Sequence, residues 1–424
     1  MKKTLKKDSR DITSRIISLE RELDDKDPTV RRKALLALCR LIKKGGIEMT
    51  SSGSRVNLHA HTNYSYNTFG YYPTGFAWKA RKEGLAVAGI VDFDALHGVN
   101  EFLEAARLIG LKACASIESR VFVPEFKDKV INSPGEPGIM YHIGLGITRG
   151  ISHPFLDRAQ KLAKERILAM LERVNRYLYP VKLDYEKDVV ALTPRGNVTE
   201  RHVCQAYARK AEDVFPKEGE RQDFWYNKLG SCPFLDSALQ ALIRTKTMKR
   251  GGVVKHPKIS KSMFPTLREM NEFILECGGI PTLAWLDGMS DGERDVSVLI
   301  KMAVGNGISA INIIPDRNFT PGIKDQKLKN LWEIISAANK IGWPVIVGTE
   351  MNGSGQNFVS QFDSEELAPF IPTFLRGAYI AFAHSVWQRK YHMGYLSENG
   401  GSFSADNIRN PFYEQLGREL QPDE

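Results

Sequence analysis

Cysteine is scarce and scattered. The chain of 424 residues has five, Cys39, Cys114, Cys204, Cys232 and Cys277, and none pair as C-x-x-C. An odd, widely spaced set argues against a disulfide framework or a zinc ribbon and fits a reducing cytosol. Long apolar runs are missing too. No stretch approaches the ~18 residues that a membrane span needs. The opening Met1-Lys2-Lys3-Thr4-Leu5-Lys6-Lys7 is basic, but no apolar core follows it, so no secretory signal is expected. These absences predict a soluble, cytoplasmic protein without membrane attachment. Charge of one sign is also thin over most of the chain. Of the net +9, residues 1–50 carry +6, from 14 Lys/Arg and 8 Asp/Glu, and the other 374 residues carry +3. A body so near neutral offers no strong nucleic-acid footprint. Gly353-Ser354-Gly355 lacks the following lysine of a phosphate-cradling P-loop.

What is present is an alternation of short apolar runs with amphipathic ones. Two helices are predicted in residues 11–45. Asp27-Pro28 starts the second, which runs Val30 to Lys44 and stops at Gly45-Gly46. Its phrase Asp-Pro-Thr-Val-Arg-Arg-Lys-Ala-Leu-Leu-Ala-Leu resembles half of a HEAT-type repeat. One such unit cannot bury its own apolar face, so it docks on the main body or on a second copy, as a homodimer through these helices. From residue 55, strands are expected at 55–61, Leu85–Asp92, Lys112–Val123, Tyr141–Ile147, Gly279–Trp285, Ala310–Pro315 and Val345–Glu350. Helices through Phe76–Lys82 and Val99–Ile109 lie between the early ones. Buried strands alternating with helices predict a parallel sheet or barrel. Residues 151–270 break the rhythm and read as a charged helical insertion.

This gives an α/β fold with an N-terminal helical extension (1–53), a barrel in two pieces (54–150 and 271–384), a helical insertion (151–270) and a tail (385–424).

His59 and His61 close the first strand. Residues i and i+2 of a strand face the same way, so both imidazoles can reach one divalent cation. Asp92 ends the second strand, Glu118 and His142 sit in the third and fourth extended runs, and Glu350 closes the last. In a β/α barrel the strand C-termini converge on one mouth. A mixed shell of histidines and carboxylates suits Zn, Mn or Fe. Asp92 could otherwise cap a turn, and Glu118 could pair with Arg120. Arg201 and His202 open a helix in the insertion, where an arginine can grip phosphate or simply face solvent. His153, His256, His384 and His392 fall in no motif.

The series His59-Ala60-His61-Thr62, Ile90-Val91-Asp92-Phe93-Asp94, Gly98-Val99-Asn100-Glu101-Phe102, Glu118 and His142-Ile143-Gly144 resembles the PHP domain, the polymerase and histidinol phosphatase superfamily. Segment 89–123 is similar to the PHP domain of bacterial replicative polymerases. Segment 141–147, with Asn197-Val198-Thr199-Glu200-Arg201-His202, is closer to free-standing PHP phosphoesterases. The resemblance covers about 55–150 and 279–352.

It implies a distorted (β/α)7, TIM-like barrel with metals at its C-terminal mouth, which bind phosphate oxygens and activate water for attack on phosphorus. His59, His61, Glu118 and Glu350 would hold one metal. Glu118 would bridge to a second held by His142, and Asp92 would line the pocket as ligand or orienter. Phe93, Trp285 and Asn352 stand where relatives carry histidines, and Tyr66 and Asn67 where an acidic residue or histidine often lies. One metal is therefore expected, or two if Asp287 substitutes.

The function implied is a metal-dependent phosphoesterase acting on a small phosphomonoester or nucleotide-like substrate, with Asp92, Glu118, Arg201 and His202 in catalytic roles. The rival is a degenerate domain that binds a ligand or partner without turnover. A polymerase-associated editing module fits neither the near-neutral body nor the chain length.

Overall fold

The computed structural model describes residues 2–255, 260–319, 321–397 and 406–422. His256 lies outside the described residues. Two helices come first, α1 (Lys2–Glu22) and α2 (Pro28–Lys43). Next come β1 (Val56–Ala60), α3 (Pro73–Lys82), β2 (Val87–Phe93), α4 (Val99–Ile109), β3 (Ala113–Phe122) and β4 (Ile139–Leu145). Four helices follow, α5 (Pro154–Tyr177), α6 (Glu200–Val214), α7 (Glu218–Leu229) and α8 (Asp236–Ile243). The chain returns to the sheet through α9 (Leu267–Glu276), β5 (Ile280–Trp285), α10 (Val296–Gly305), β6 (Ala310–Ile313), α11 (Lys324–Lys340) and β7 (Val345–Val347). It closes with α12 (Ile371–Tyr391) and α13 (Asp406–Glu419). No described helix is long and apolar enough to cross a membrane.

The seven strands lie in sequence order in one sheet. β1, β2 and β3 pair in parallel, as do β5, β6 and β7. β4 is antiparallel to both of its neighbours. The sheet curls into a nearly closed barrel, joined where residues 348–350 meet β1. A parallel bridge links Ala60 and Glu350, Glu350 N donates to His59 O at 2.7 Å, and His61 N donates to Glu350 O at 2.8 Å. Gly348 makes this approach feasible, because a Cβ there would stand 2.3 Å from His59 N. The result is a distorted TIM-like barrel of α/β class. The reversed β4 departs from the uniform parallel alternation that the apolar runs suggest. Hydrophobicity records burial and leaves strand direction unwritten.

Apolar side chains of the strands and flanking helices form one large core. A second cluster, containing the buried Tyr207 and Trp225, is built from residues 167–248. These helices cover the barrel mouth. Asn197 Nδ2 donates to Phe93 O at 2.6 Å and Tyr66 Oη to Gln240 Oε1 at 2.9 Å.

The N-terminal helices pack on the main body. Asp27 caps α2 by accepting from Thr29 N at 2.7 Å. The helix buries Ala34, Leu35 and Leu38 in the main core. Arg31, 1% exposed, reaches Glu101 on α4 with Nε to Oε1 at 2.8 Å, and its guanidinium lies 4.2 Å from the Tyr72 ring centre. Removing one partner of a buried pair strands the other charge. Glu101 keeps some contact with water, so Arg31→Met should cost about 3 kcal/mol, the low end for such a pair. Urea unfolding of the two proteins measures it, and an unchanged midpoint would show that α2 docks by apolar contact alone.

Candidate metal centre and the cavity above it

β1 and β3 deliver the centre. His59 Nε2 lies 3.7 Å and His61 Nε2 3.4 Å from the same oxygen, Glu118 Oε2. One ligand atom from each of the three residues lies within 4.8 Å of the others, and all three are buried. They are the one such group found among the described residues.

The hydrogen bonds on the far side of each ring decide what the near side offers. His59 Nδ1 meets Asn312 Oδ1 on β6 at 2.8 Å. A carbonyl oxygen only accepts, so Nδ1 carries the proton and Nε2 is left with a lone pair. His61 Nδ1 meets Ser65 Oγ at 3.1 Å, and Ser65 donates its one proton to Asp92 Oδ1 at 2.7 Å. Ser65 must then accept from His61, and this Nε2 is bare as well. Both Nε2 atoms are buried without a hydrogen-bond partner. Two lone pairs and a carboxylate oxygen facing one space form an N, N, O donor set that fits a divalent cation such as Zn, Mn or Fe.

The electrostatics agree. Burial would raise the Glu118 carboxyl, but His59 and His61 bring it down to about 2. Burial works against the charged form of His59, yet Glu118 and then Glu350 outweigh it and raise its pKa. The space attracts a proton or a cation.

Asp92 works one step back from this group. Its Oδ1 takes Thr62 N at 2.7 Å and Ser65 Oγ, and its Oδ2 takes Thr62 Oγ1 at 2.6 Å. As a ligand it needs correction, because these bonds occupy both oxygens and make it an orienter acting through Ser65. Glu350 reaches the same cavity, but Arg317 Nη2 holds its two oxygens at 2.9 and 2.8 Å and Gln356 Nε2 adds a bond at 2.7 Å. The four-ligand set thus reduces to three residues with a latched neighbour.

His142 must be removed. It sits opposite Ser119 and Leu283 in the reversed β4, and its Nε2 meets Asn271 of α9 at 2.6 Å. Burial lowers it to about 4. His202 is also structural. Its Nδ1 accepts from Thr199 N at 3.1 Å in the capping box of α6, and burial lowers it to about 3. Asp287 does not replace a lost ligand, since its Oδ2 pairs with Lys327 at 2.8 Å and its Oδ1 accepts from Met289 N at 3.1 Å. Phe93 stacks on His61 with ring centres 4.5 Å apart. Trp285 and Asn352 line the cavity.

The cavity has a volume of about 750 Å³ and runs from His59 and Glu118 to the helices α5 and α6. Its wall carries eight Lys/Arg side chains against five Asp/Glu. Arg201 is among them and makes no ion pair among the described residues. Gly353 leaves room for it, because a Cβ there would lie 2.6 Å from its Nη2. Sequence reasoning missed Asn312, Ser65 and the α5 arginines. A polar residue inside the apolar run Ala310–Ile313 is a usable signal for Asn312. Ser65 carries none.

No protein-family model and no curated protein matches the chain. Among solved structures, an amidohydrolase from Chromobacterium violaceum, with bound sulfate and no metal, aligns at 17% identity and a TM-score of 0.46, over 71% of this chain and 88% of that one. A protein from Bifidobacterium adolescentis described as a metal-dependent phosphoesterase aligns at 16% identity and a TM-score of 0.48, over 77% of this chain and 98% of its own.

Outer partners of metal-binding histidines typically matter about 10- to 100-fold in cation affinity. Ser65→Ala and Asn312→Leu should each weaken binding of Zn or Mn by about tenfold in competition with a chelator. A proton and a cation compete for the same lone pairs, and His59 holds its proton more tightly than an ordinary histidine, so wild-type affinity should fall on acidification, beginning above the ordinary histidine range. Affinity independent of both changes would show that the histidines are not ligands.

Proposed function

We propose that the chain is a metal-dependent hydrolase of phosphate esters, of the PHP type. The observation that carries this reading is the pair of bare, buried imidazole nitrogens facing one carboxylate at the foot of a cation-rich cavity. A divalent cation held there would supply polarisation of a phosphoryl oxygen and a water acidic enough to attack near neutral pH.

The chain's own residues do the rest. His59, His61 and Glu118 would hold the ion, and Asn312 and the Asp92–Ser65 relay fix the planes of the two rings. Arg201 and Arg317 face the same end of the cavity, where guanidinium groups suit the oxygens of a phosphoryl group. Glu350 keeps Arg317 in place. The excess of positive side chains favours an anionic substrate over a neutral one.

Metal analysis of the purified protein and hydrolysis of 4-nitrophenyl phosphate test the proposal. Chelator should abolish turnover and Mn or Zn restore it. His61→Ala should lower kcat/KM by at least about 100-fold, since loss of a ligand should exceed loss of its outer partner. A protein that binds no metal and releases no nitrophenol with Mn, Zn or Fe would instead fit a non-catalytic binding domain, with Phe93 and Trp285 filling the space of lost ligands.

A further inference from the structure

The cavity is far larger than one phosphoryl group needs, and its cations fall into two kinds. Arg120 has Glu136 at 2.8 Å, Arg244 has Glu200 at 2.8 Å, and Arg317 has Glu350. Arg166 and Arg173 on α5 have no carboxylate at ion-pair distance among the described residues. Each nevertheless has a buried Nε with no hydrogen-bond partner. Arg166 is held in place, with one Nη donating to Met263 O and its guanidinium 4.4 Å from the Phe264 ring centre.

Ala163, Arg166, Ile167, Met170 and Arg173 line the cavity at helical spacing, so a single face of α5 forms this wall. Seven residues of helix separate the two arginines by about 10 Å along the axis. Arg166 has different charged surroundings from Arg201. The charged neighbours of Arg166 are Arg120, Asp94 and Glu136, whereas Arg201 has Glu350 and Arg244. Asp94 and Glu136 act on Arg166 from beyond ion-pair distance, and burying a cation without a directly paired counter-charge is costly, a cost that the charge of an arriving ligand would offset. Burial and the nearby Arg120 pull Arg166 down only to about 10, which leaves it charged at neutral pH.

We infer that the substrate is a compact organophosphate bearing a second anionic group, which Arg166 and Arg173 bind while the scissile phosphoryl group sits at the metal end. This rests on the phosphoesterase reading above. It adds a selectivity in which doubly anionic esters are preferred over singly anionic ones and α5 reads the distance between the charges.

Calorimetric titration with methylphosphonate and with alkane-α,ω-bisphosphonates from one to six carbons tests it, on Mn-loaded and on metal-stripped protein. The wild type should bind at least one bisphosphonate more tightly than methylphosphonate by about tenfold or more, the scale of a charged hydrogen bond. Arg166→Gln and Arg173→Gln should each bring that ratio toward one. Arg173→Lys, which keeps the charge and loses the fork, should retain part of it, and circular dichroism verifies each fold. A wild-type ratio near one at every spacing, or a ratio unchanged in both glutamine variants, overturns the inference. Failure of the metal reading looks different: methylphosphonate then binds equally with and without Mn, whatever the variants do.

Discussion

The barrel seam is the constraint on which the site depends. Strand β1 carries His59, leads directly into His61, and would be an edge if the sheet stayed open. Residues 348–350 close it by donating to and accepting from the backbone at His59 and His61. That approach is too close for any side chain at position 348. The seam brings β6 and β7 within reach of β1, so that Asn312 can hold one ring and Glu350 can shape the electrostatics of the other wall. Glycine without bulk and histidine with chemistry are thus parts of one arrangement.

Polarity in this site is settled by counting protons. Asn312 can only accept, and Ser65 has a single hydrogen that Asp92 takes. Both imidazoles are therefore oriented through Nδ1, the nitrogen that does not face Glu118. Thr62 completes the arrangement by filling the remaining acceptor sites of Asp92. A buried network with every outer member satisfied, and only the inner nitrogens bare, concentrates its unmet demand at one point.

The strands, the helices between them and the trio of His59, His61 and Glu118 were legible in the sequence. Period two puts the histidines on one face, and strand ends meet at a barrel mouth. His142 was misread because its role depended on the direction of β4. In an antiparallel strand the same residue meets α9 instead of the mouth, and apolar pattern is blind to that choice. His202 was misread because a histidine can cap a helix as well as serve a ligand, and the local phrase Thr199–His202 does not say which. Asp92 was placed in the right neighbourhood with its role left open between ligand and orienter, and the hydrogen bonds of Thr62 and Ser65 decide it. Arg166 and Arg173 were not singled out within the charged helical insertion. Only the docking of that helix over the mouth turns them inward.

The stack of Phe93 on His61 has a consequence for how an ion arrives. The imidazole is clamped by an aromatic face on one side and by Ser65 at its edge, and His59 is tethered by Asn312. Neither ring is free to swing. The rotational entropy of these side chains is surrendered when the chain folds, so holding a cation would not cost it again. The two rings are preformed, and a divalent cation bound between them would require no reorganisation of either.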